Sequence, residues 1–519
     1  VTDSYFIGCL SIFSVERINE DGYCVKVKLK LFKAPLLYGI HLARNDKENF
    51  AMNNLNLFFE PDSIALIGAT EGMKFGYIAT KCLLDSKFKI YLVNPNEKEI
   101  MGVETYKSVL DIQDDIDLAV IMIPARFVLT AVKECAEKGI KAIIIESAGF
   151  SEIGEDGRRL EEEIVEISRK NGMRIIGPNC LGVLDTHSSL STTGMSTNSL
   201  KRGQISVITQ SGMLGNILTE WMPSQNVGLS KVISIGNKCD VDEVDLLEYL
   251  GNDDRTKVIT IYLEGTKDGR RFLDAAKKVT KRKPVLIVKG GRSVEGAQTT
   301  ASHTGSMAGE DRVYESMFKQ AGIIRVDDFE ELFSFAKTFE YQPLPKSNRI
   351  AIITTSGSLA VLACDECAVQ GLKLPKLSEE SINDLKMEVP DWVSVKNPLD
   401  LGPSMNYWSP IETILKDENV DSLLVIMVAP LESFGGKDVI DAMFLSLREV
   451  LSDQGGKTVL FCTIGDPNLT IKNARENLER YNIPVFTSSP SAVRGIAALY
   501  RHKRYLERCK VVDSQESNH

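Results

Sequence analysis

An α/β fold built on buried parallel sheets is what this sequence predicts, and three observations carry the prediction. Short runs rich in Val and Ile recur along the chain from Ser63 onward. Stretches with a helical pattern lie between them. Two interruptions divide this rhythm into three units. Strands buried on both faces read as near-continuous apolar runs, and their alternation with helices implies crossover connections.

The first unit has strand runs at Ile64–Ile67, Ile90–Val93, Leu118–Ile123, Ala142–Ile145 and Ile175–Ile176, with helical patterns at Phe127–Lys138 and Gly157–Asn171. A Ser- and Thr-rich stretch at about Asp185–Gly203 then reads as a linker. The second unit starts at Gln204, with strands at Ile205–Ile208, Lys231–Ser234, Val258–Tyr262 and Val285–Lys289. Its helices fall at about Gly212–Met222, Asp242–Leu250, Gly269–Thr280 and Glu310–Ala321, and it closes on the helix Phe329–Thr338. Pro343-Leu344-Pro345 is a stiff, extended connector. The third unit begins at Arg349, with strands at Ile350–Ile353, Ser422–Val428, Thr458–Cys462 and Pro484–Phe486. The polar tail past about Lys510 reads as a frayed end. Residues 1–51 lack the alternation; Met52 is a candidate natural start, and a small genuine extension is the other reading. The expected division is therefore a leader 1–51, domains 52–184, 203–340 and 346–507, and a tail 508–519.

Bulk properties agree. A chain of 519 residues exceeds the roughly 250–300 at which single cores stop growing. Apolar and charged fractions of 43% and 25% are those of a soluble globular protein. A net charge of −10 argues against broad nucleic-acid binding. No run approaches the roughly 20 apolar residues of a membrane span, and the apolar stretch Tyr5–Val15 lacks the basic leader of a signal peptide. Of ten cysteines, only Cys364 and Cys367 form a C-x-x-C, on a helical pattern and without a second pair. They read as reduced thiols of a cytoplasmic protein rather than a metal site. No metal centre, nucleic-acid partner or membrane partner is expected.

Candidate ligand contacts begin at the glycine turns. The first strand ends in Gly68-Ala69-Thr70-Glu71-Gly72 before a helix at Gly76. Glycine permits close backbone approach to a phosphate, and a helix N-terminus favours the anion. The second strand ends in Asn94-Pro95-Asn96 rather than in the acidic residue that holds a dinucleotide ribose, which disfavours a dehydrogenase. Thr209-Gln210-Ser211-Gly212 and Thr354-Thr355-Ser356-Gly357-Ser358 can also place N–H groups around phosphate. The same pattern is that of an ordinary tight turn with a Ser helix cap. Gly456-Lys457-Thr458 imitates the end of a P-loop, but Leu451 stands where its first glycine belongs and a strand follows.

Five histidines are present, and His303 stands apart. Its surroundings, Thr299-Thr300-Ala301-Ser302-His303-Thr304-Gly305-Ser306, read as an accessible small-residue loop between a strand and a helix. A neutral imidazole there can act as a nucleophile; a solvated loop histidine fits the local pattern equally. Glu264 ends another strand of the same unit. Strand ends of open α/β sheets converge on one crevice, so Glu264 can meet His303, fix its tautomer and leave its other nitrogen free. A surface or salt-bridged Glu is the bland alternative.

Together with Val93-Asn94-Pro95-Asn96, Ile123-Pro124-Ala125, Glu146-Ser147-Ala148-Gly149-Phe150, Gly177-Pro178-Asn179-Cys180-Leu181-Gly182, Ile235-Gly236-Asn237, Tyr262-Leu263-Glu264-Gly265 and Asn397-Pro398-Leu399-Asp400, these segments resemble the α subunits of ADP-forming acetyl-CoA synthetases, relatives of succinyl-CoA synthetase. The resemblance spans about residues 55–500. It implies a Rossmann-like CoA-binding domain followed by two flavodoxin-like parallel-sheet domains. It further implies CoA contacts at Gly68, Thr70, Gly72, Asn94, Pro124, Ser147, Ala148, Asn179 and Cys180, and phosphate contacts at Ser211, Gly212, Gly236, Asn237, Gly305, Ser356 and Gly357. His303 is the implied phosphohistidine and Glu264 its support. Acyl-CoA, phosphate and ADP would be interconverted with a carboxylic acid, CoA and ATP through an acyl phosphate. ATP/ADP and Mg2+ would sit on a separate ATP-grasp β subunit, in an α2β2 assembly. The third turn departs from the family's glycine-rich form at Leu359. A CoA-binding regulatory protein without turnover is the alternative function.

Overall fold

The computed structural model describes residues 55–72, 76–212, 221–304, 310–403, 408–428, 445–447, 450 and 455–516. The expected leader, Gly305 and most of the expected helix Gly212–Met222 lie outside the described residues.

Three sheets follow one another. The first holds β1 (Ser63–Ile67), β2 (Lys89–Val93), β3 (Glu99–Ile100), β4 (Val103–Tyr106), β5 (Leu118–Ile121), β6 (Ala142–Ile145) and β7 (Arg174–Ile176), in the order β3-β4-β2-β1-β5-β6-β7. The second holds β8 (Val183–Asp185), β9 (Leu190–Ser191), β10 (Arg202–Thr209), β11 (Leu229–Ser234), β12 (Val258–Leu263), β13 (Val285–Lys289) and β14 (Ile324–Val326), in the order β14-β13-β12-β10-β11-β8-β9. The third is β16-β15-β17-β18-β19, from β15 (Ile350–Thr354), β16 (Leu399–Asp400), β17 (Ser422–Met427), β18 (Thr458–Thr463) and β19 (Val485–Phe486).

In each sheet the first parallel strand lies between its two successors: β1 pairs β2 and β5, β10 pairs β11 and β12, and β15 pairs β16 and β17. That reversal of strand order opens a crevice at the C-terminal strand ends.

The period of two along each strand assigns side chains to apolar layers. Ile64 and Leu66 enter a layer shared with Ile208, Ile233 and Ile261 of the second sheet, while Ala65 and Ile67 face an outer layer with Val128 and Ile164. Ile205 and Val207 join Ile350 and Ile352 between the second and third sheets; Ala351 and Ile353 face away.

The stretch expected as a linker is instead structured. β8 and β9 form a small antiparallel pair on the edge of the second sheet, against β11. Short polar side chains serve it internally: Asp185 Oδ1 accepts from the backbone of His187 and Ser188, and Thr186 Oγ1 donates to the Leu229 carbonyl. A Ser/Thr-rich composition therefore marks a satisfied buried turn here rather than a solvated one. The last helix, Ser489–Glu516, runs past Lys510 into the expected tail. Cys364 and Cys367 lie on the helix Gly357–Gln370, and burial pushes the Cys367 thiol up to about 12. Among the described residues no helix is long and apolar enough to cross a membrane.

Candidate functional site

The turn after β1 is shaped by close approach. Gly68 has φ +100°, and a Cβ there would lie 2.6 Å from the Met122 carbonyl oxygen at the end of β5. Thr70 Oγ1 accepts from Gly72 N at 3.2 Å, and Thr70 N donates to Thr80 Oγ1 in the following helix, Gly76–Leu84. Asn94 Nδ2 donates to the Ala69 carbonyl at 3.0 Å. Asn94, expected as a ligand contact, thus braces the turn across the β2 end. Pro124 stands exposed at the start of the helix Ala125–Lys138.

The strand ends of the first two sheets enclose a cavity of about 440 Å³. From the first sheet it is lined by Ser147, Ala148, Asn179 and Cys180. From the second it is lined by Ser211, Gly212, Gly236 and Asn237. Eight residues expected as ligand contacts on two separate units therefore meet in one place. Ser147 Oγ donates to the Ile123 carbonyl, and Asn179 N donates to the Ser147 carbonyl at 2.9 Å. Thr209 Oγ1 accepts from Ser211 N at 3.2 Å and so sets the turn that opens at Gly212.

Three of the eight also join the sheets: Gly236, Asn237 and Asn179, whose Nδ2 donates to Asn237 Oδ1 at 3.3 Å. Asn237 Nδ2 donates to Ser151 Oγ, Glu152 Oε2 and Glu161 Oε2, and Asn237 N donates to the Pro178 carbonyl. Gly236, at φ +54°, packs so closely that a Cβ would lie 2.2 Å from the Pro178 oxygen. Cys180 also serves the fold: its thiol donates to the Ile145 carbonyl, and burial raises its pKa.

Two cavity residues were quoted in the sequence motifs without a role. Glu146 is 5% exposed, one carboxyl oxygen lacks a partner among the described residues, and burial raises its pKa well above the carboxylate range. Burial favours its protonated form, which can donate a hydrogen bond, while a hydrogen bond from Thr192 pulls the other way. Gln210 links the cavity to Glu264: its Oε1 accepts from Glu264 N at 2.9 Å and from Gly265 N at 3.3 Å. Only the tertiary structure signals either, since one is distinguished by burial and the other by a contact 54 residues away.

Glu264 is buried, with Tyr262 OH donating to its Oε1 at 3.3 Å. Lys289 Nζ donates to the Glu264 carbonyl at 2.7 Å, and burial lowers the lysine to about 8. His303 does not sit in a loop. It occupies the last turn of the helix Val294–Thr304, which packs against the turn Ser151–Ile153 beyond β6. Ser293 Oγ accepts from Gly296 N at the start of that helix, and the Thr299 and Thr300 hydroxyls donate back to Glu295 and Gly296 carbonyls. These local bonds hold small residues in a helix that composition alone reads as a loop. The His303 side chain lies outside the described residues.

The Ser356–Gly357 turn repeats the second-sheet turn, with Thr354 Oγ1 accepting from Ser356 N at 2.9 Å. It does not line the cavity, and a Cβ on Gly357 would lie 2.8 Å from an Asp400 carboxylate oxygen. That charge opposes a phosphate at this turn.

Residues 62–186 match the family model for a CoA binding domain, and residues 202–339 match that for a succinyl-CoA ligase like flavodoxin domain. The ADP-forming acetate–CoA ligase II α subunit of Pyrococcus furiosus is 42% identical over 455 residues, covering 87% of this chain and 98% of that one. The chain belongs to this α-subunit family. The ADP-forming acetate–CoA ligase of Methanocaldococcus jannaschii is also 42% identical, but the matched region is 62% of its longer chain. Among solved structures, the acetyl-coenzyme A synthetase 1 of Candidatus Korarchaeum cryptofilum in complex with phosphate and ADP superposes with a TM-score of 0.80 at 33% identity, covering 87% of this chain and 97% of that one. The family match extends through the third sheet, which neither family model covers.

Proposed function

We propose that this chain is the α subunit of a cytoplasmic ADP-forming acyl-CoA synthetase, a ligase of the carbon–sulfur bond. The observation that carries the reading is the shared cavity: strand ends of a CoA-binding-type sheet face the Ser211–Gly212 turn, with the helix that carries His303 packed against the Ser151–Ile153 turn of the first unit. We keep the domains 52–184, 203–340 and 346–507 as the sequence units, with the β8–β9 pair at their first boundary belonging to the second sheet.

CoA lies across the strand ends of the first sheet, approaching the Gly68–Gly72 turn, with its thiol end toward Ser147, Ala148 and Asn179. Phosphate attacks the thioester carbonyl of acyl-CoA, and CoA leaves as thiol, giving an acyl phosphate. A ring nitrogen of His303 then takes the phosphoryl group, and the carboxylic acid departs. ADP accepts the group to form ATP and restores the imidazole. Glu264, its turn held by Gln210 and Lys289, steadies the ring, while the Ser211 hydroxyl and the Gly212 N–H face the phosphoryl oxygens. Gly305, two residues past His303 in the sequence, takes the same phosphate-binding role. Glu146, whose protonated form is favoured by burial, can donate to a developing oxyanion in the cavity.

The α-subunit names of the relatives support a partner chain. We take it to be an ATP-grasp β subunit carrying ATP/ADP and Mg2+, in an α2β2 assembly. Labelling the complex with γ-radiolabelled ATP should give an acid-labile, base-stable phosphoprotein band on this chain. His303→Asn should abolish the band, and persistent label in that variant would refute the assignment.

A further inference from the structure

We propose that the cavity between the helix Asp311–Ala321 and the C-terminal helix Ser489–Glu516 is a second anion site, taking a phosphate-bearing small molecule of nucleoside-polyphosphate size. It encloses about 580 Å³, the size range of small-molecule pockets, and shares no lining residue with the cavity at the strand ends.

Its charge is the argument. Lys319, Arg325, Arg501, Arg504 and Arg508 line it, against the single carboxylate of Glu315. The chain as a whole carries −10. Lys319 and Arg325 are paired with Glu315, and Arg325 also with Asp311. The other three arginines are not neutralised in this way. Arg501 donates to the amide oxygen of Gln370, and Arg504 meets Glu507 only at 3.7 Å. Arg508 has no hydrogen bond or ion pair among the described residues. Positions 501, 504 and 508 share one helix face, where like charges three and four residues apart repel. A bound polyanion relieves that repulsion. Guanidinium forks match phosphate oxygens bidentately, which favours phosphate over a simple halide.

The opposite wall is built rather than incidental. The Tyr505 ring lies over Gly322, where a Cβ would come within 2.4 Å of it, and Thr280 Oγ1 donates to Tyr505 OH at 3.0 Å. His502 also lines the cavity; it is 5% exposed, stacks on Tyr505, and its Nδ1 lacks a partner among the described residues. Burial brings its pKa down to about 4, so the ring is neutral and adds no charge of its own at pH 7. With Tyr500 and Phe318 it makes an apolar wall beside the arginine face, as a base-plus-phosphate ligand requires.

The test is calorimetric titration of the full chain with ATP, ADP, pyrophosphate, inorganic phosphate, adenosine and a polyglutamate peptide, repeated on Arg501→Gln/Arg508→Gln. ATP and pyrophosphate should bind the wild type and adenosine should not. Tighter binding of ATP than of pyrophosphate would identify a nucleotide; equal binding, a polyphosphate alone. The double variant should weaken both by about tenfold or more, the loss expected for a charge-assisted bond to a guanidinium. An unchanged melting curve checks that the variant is folded. An azido-ATP photoprobe on the wild type, which needs no variant, should label the peptide containing Tyr500–Arg508. No binding of any phosphate probe, undiminished binding in the variant, labelling elsewhere, or preference for the peptide would each overturn the proposal.

Discussion

Glu146 shows how a single buried carboxyl acquires a chemical role from its surroundings. Burial raises its folded pKa well above the usual carboxylate value. Below the unfolded pKa both states are protonated and nothing is lost. As pH rises toward the folded pKa, the unfolded state releases the proton and the native state keeps it, so stability falls. Glu146→Gln removes that dependence. Thermal melts should show the variant gaining on the wild type as pH rises from 5 to 8; a constant difference would place Glu146 in solvent. Gln210→Ala, by contrast, removes the acceptor of two buried N–H groups at Glu264 and Gly265. We expect a loss of about 1–3 kcal/mol and weaker phosphorylation of His303, since an unsatisfied buried donor carries its desolvation penalty. Full labelling in a stable Gln210→Ala chain would contradict the link between the cavity and Glu264. Neither role was legible beforehand, because the motifs containing these residues do not reveal burial or a long-range contact.

Elements were largely legible. The strand at Val285–Lys289 and the helix at Gly269–Thr280 lie where the apolar period puts them, and most others differ only at their ends. Two of the misses share a cause. The turn joining β8 to β9 and the helix Val294–Thr304 are rich in Ser and Thr, and their hydroxyls are satisfied within the fold, which composition does not reveal. The turn at Gly68 gives a prediction at this scale. A Cβ at φ +100° and 2.6 Å from a carbonyl oxygen is strained twice over. Gly68→Ala should cost about 1–3 kcal/mol and weaken CoA binding in calorimetry more than Gly102→Ala, where no atom lies within 4 Å. Equal effects would show the turn to be remote from CoA.

At the scale of the molecule, buried polar contacts set one sheet against the next. Arg174 bonds Asp240 and Asp245 at 2.8 Å between the first two sheets. Lys337 and Glu479, both nearly inaccessible, pair between the second and third. Glu479→Ala leaves a buried ammonium without its carboxylate and should destabilise the chain by about 3–5 kcal/mol, read from denaturant melts; an unchanged midpoint would mean that water reaches the pair. Function at this scale depends on the partner. The isolated chain should bind CoA yet release no ADP from ATP, CoA and acid until the cognate β subunit is added. Acid-dependent turnover by this chain alone, free of host synthetase, would overturn the subunit reading.

By itself the sequence determined the α/β class, the three-unit rhythm and the segments by which the family is recognised, because period and turn chemistry are local properties of a chain. It also singled out eight of the residues that line the cavity. Tertiary structure decided which of them share a space and which are spent on the scaffold. Asn237 and Gly236 bind the two sheets together, Asn94 braces a turn, and the Ser356–Gly357 turn faces a carboxylate. Burial, unpaired charge and the meeting of distant strand ends exist only once the layers have packed. The buried Glu146 and the arginine face at residues 501–508 acquire their chemistry there.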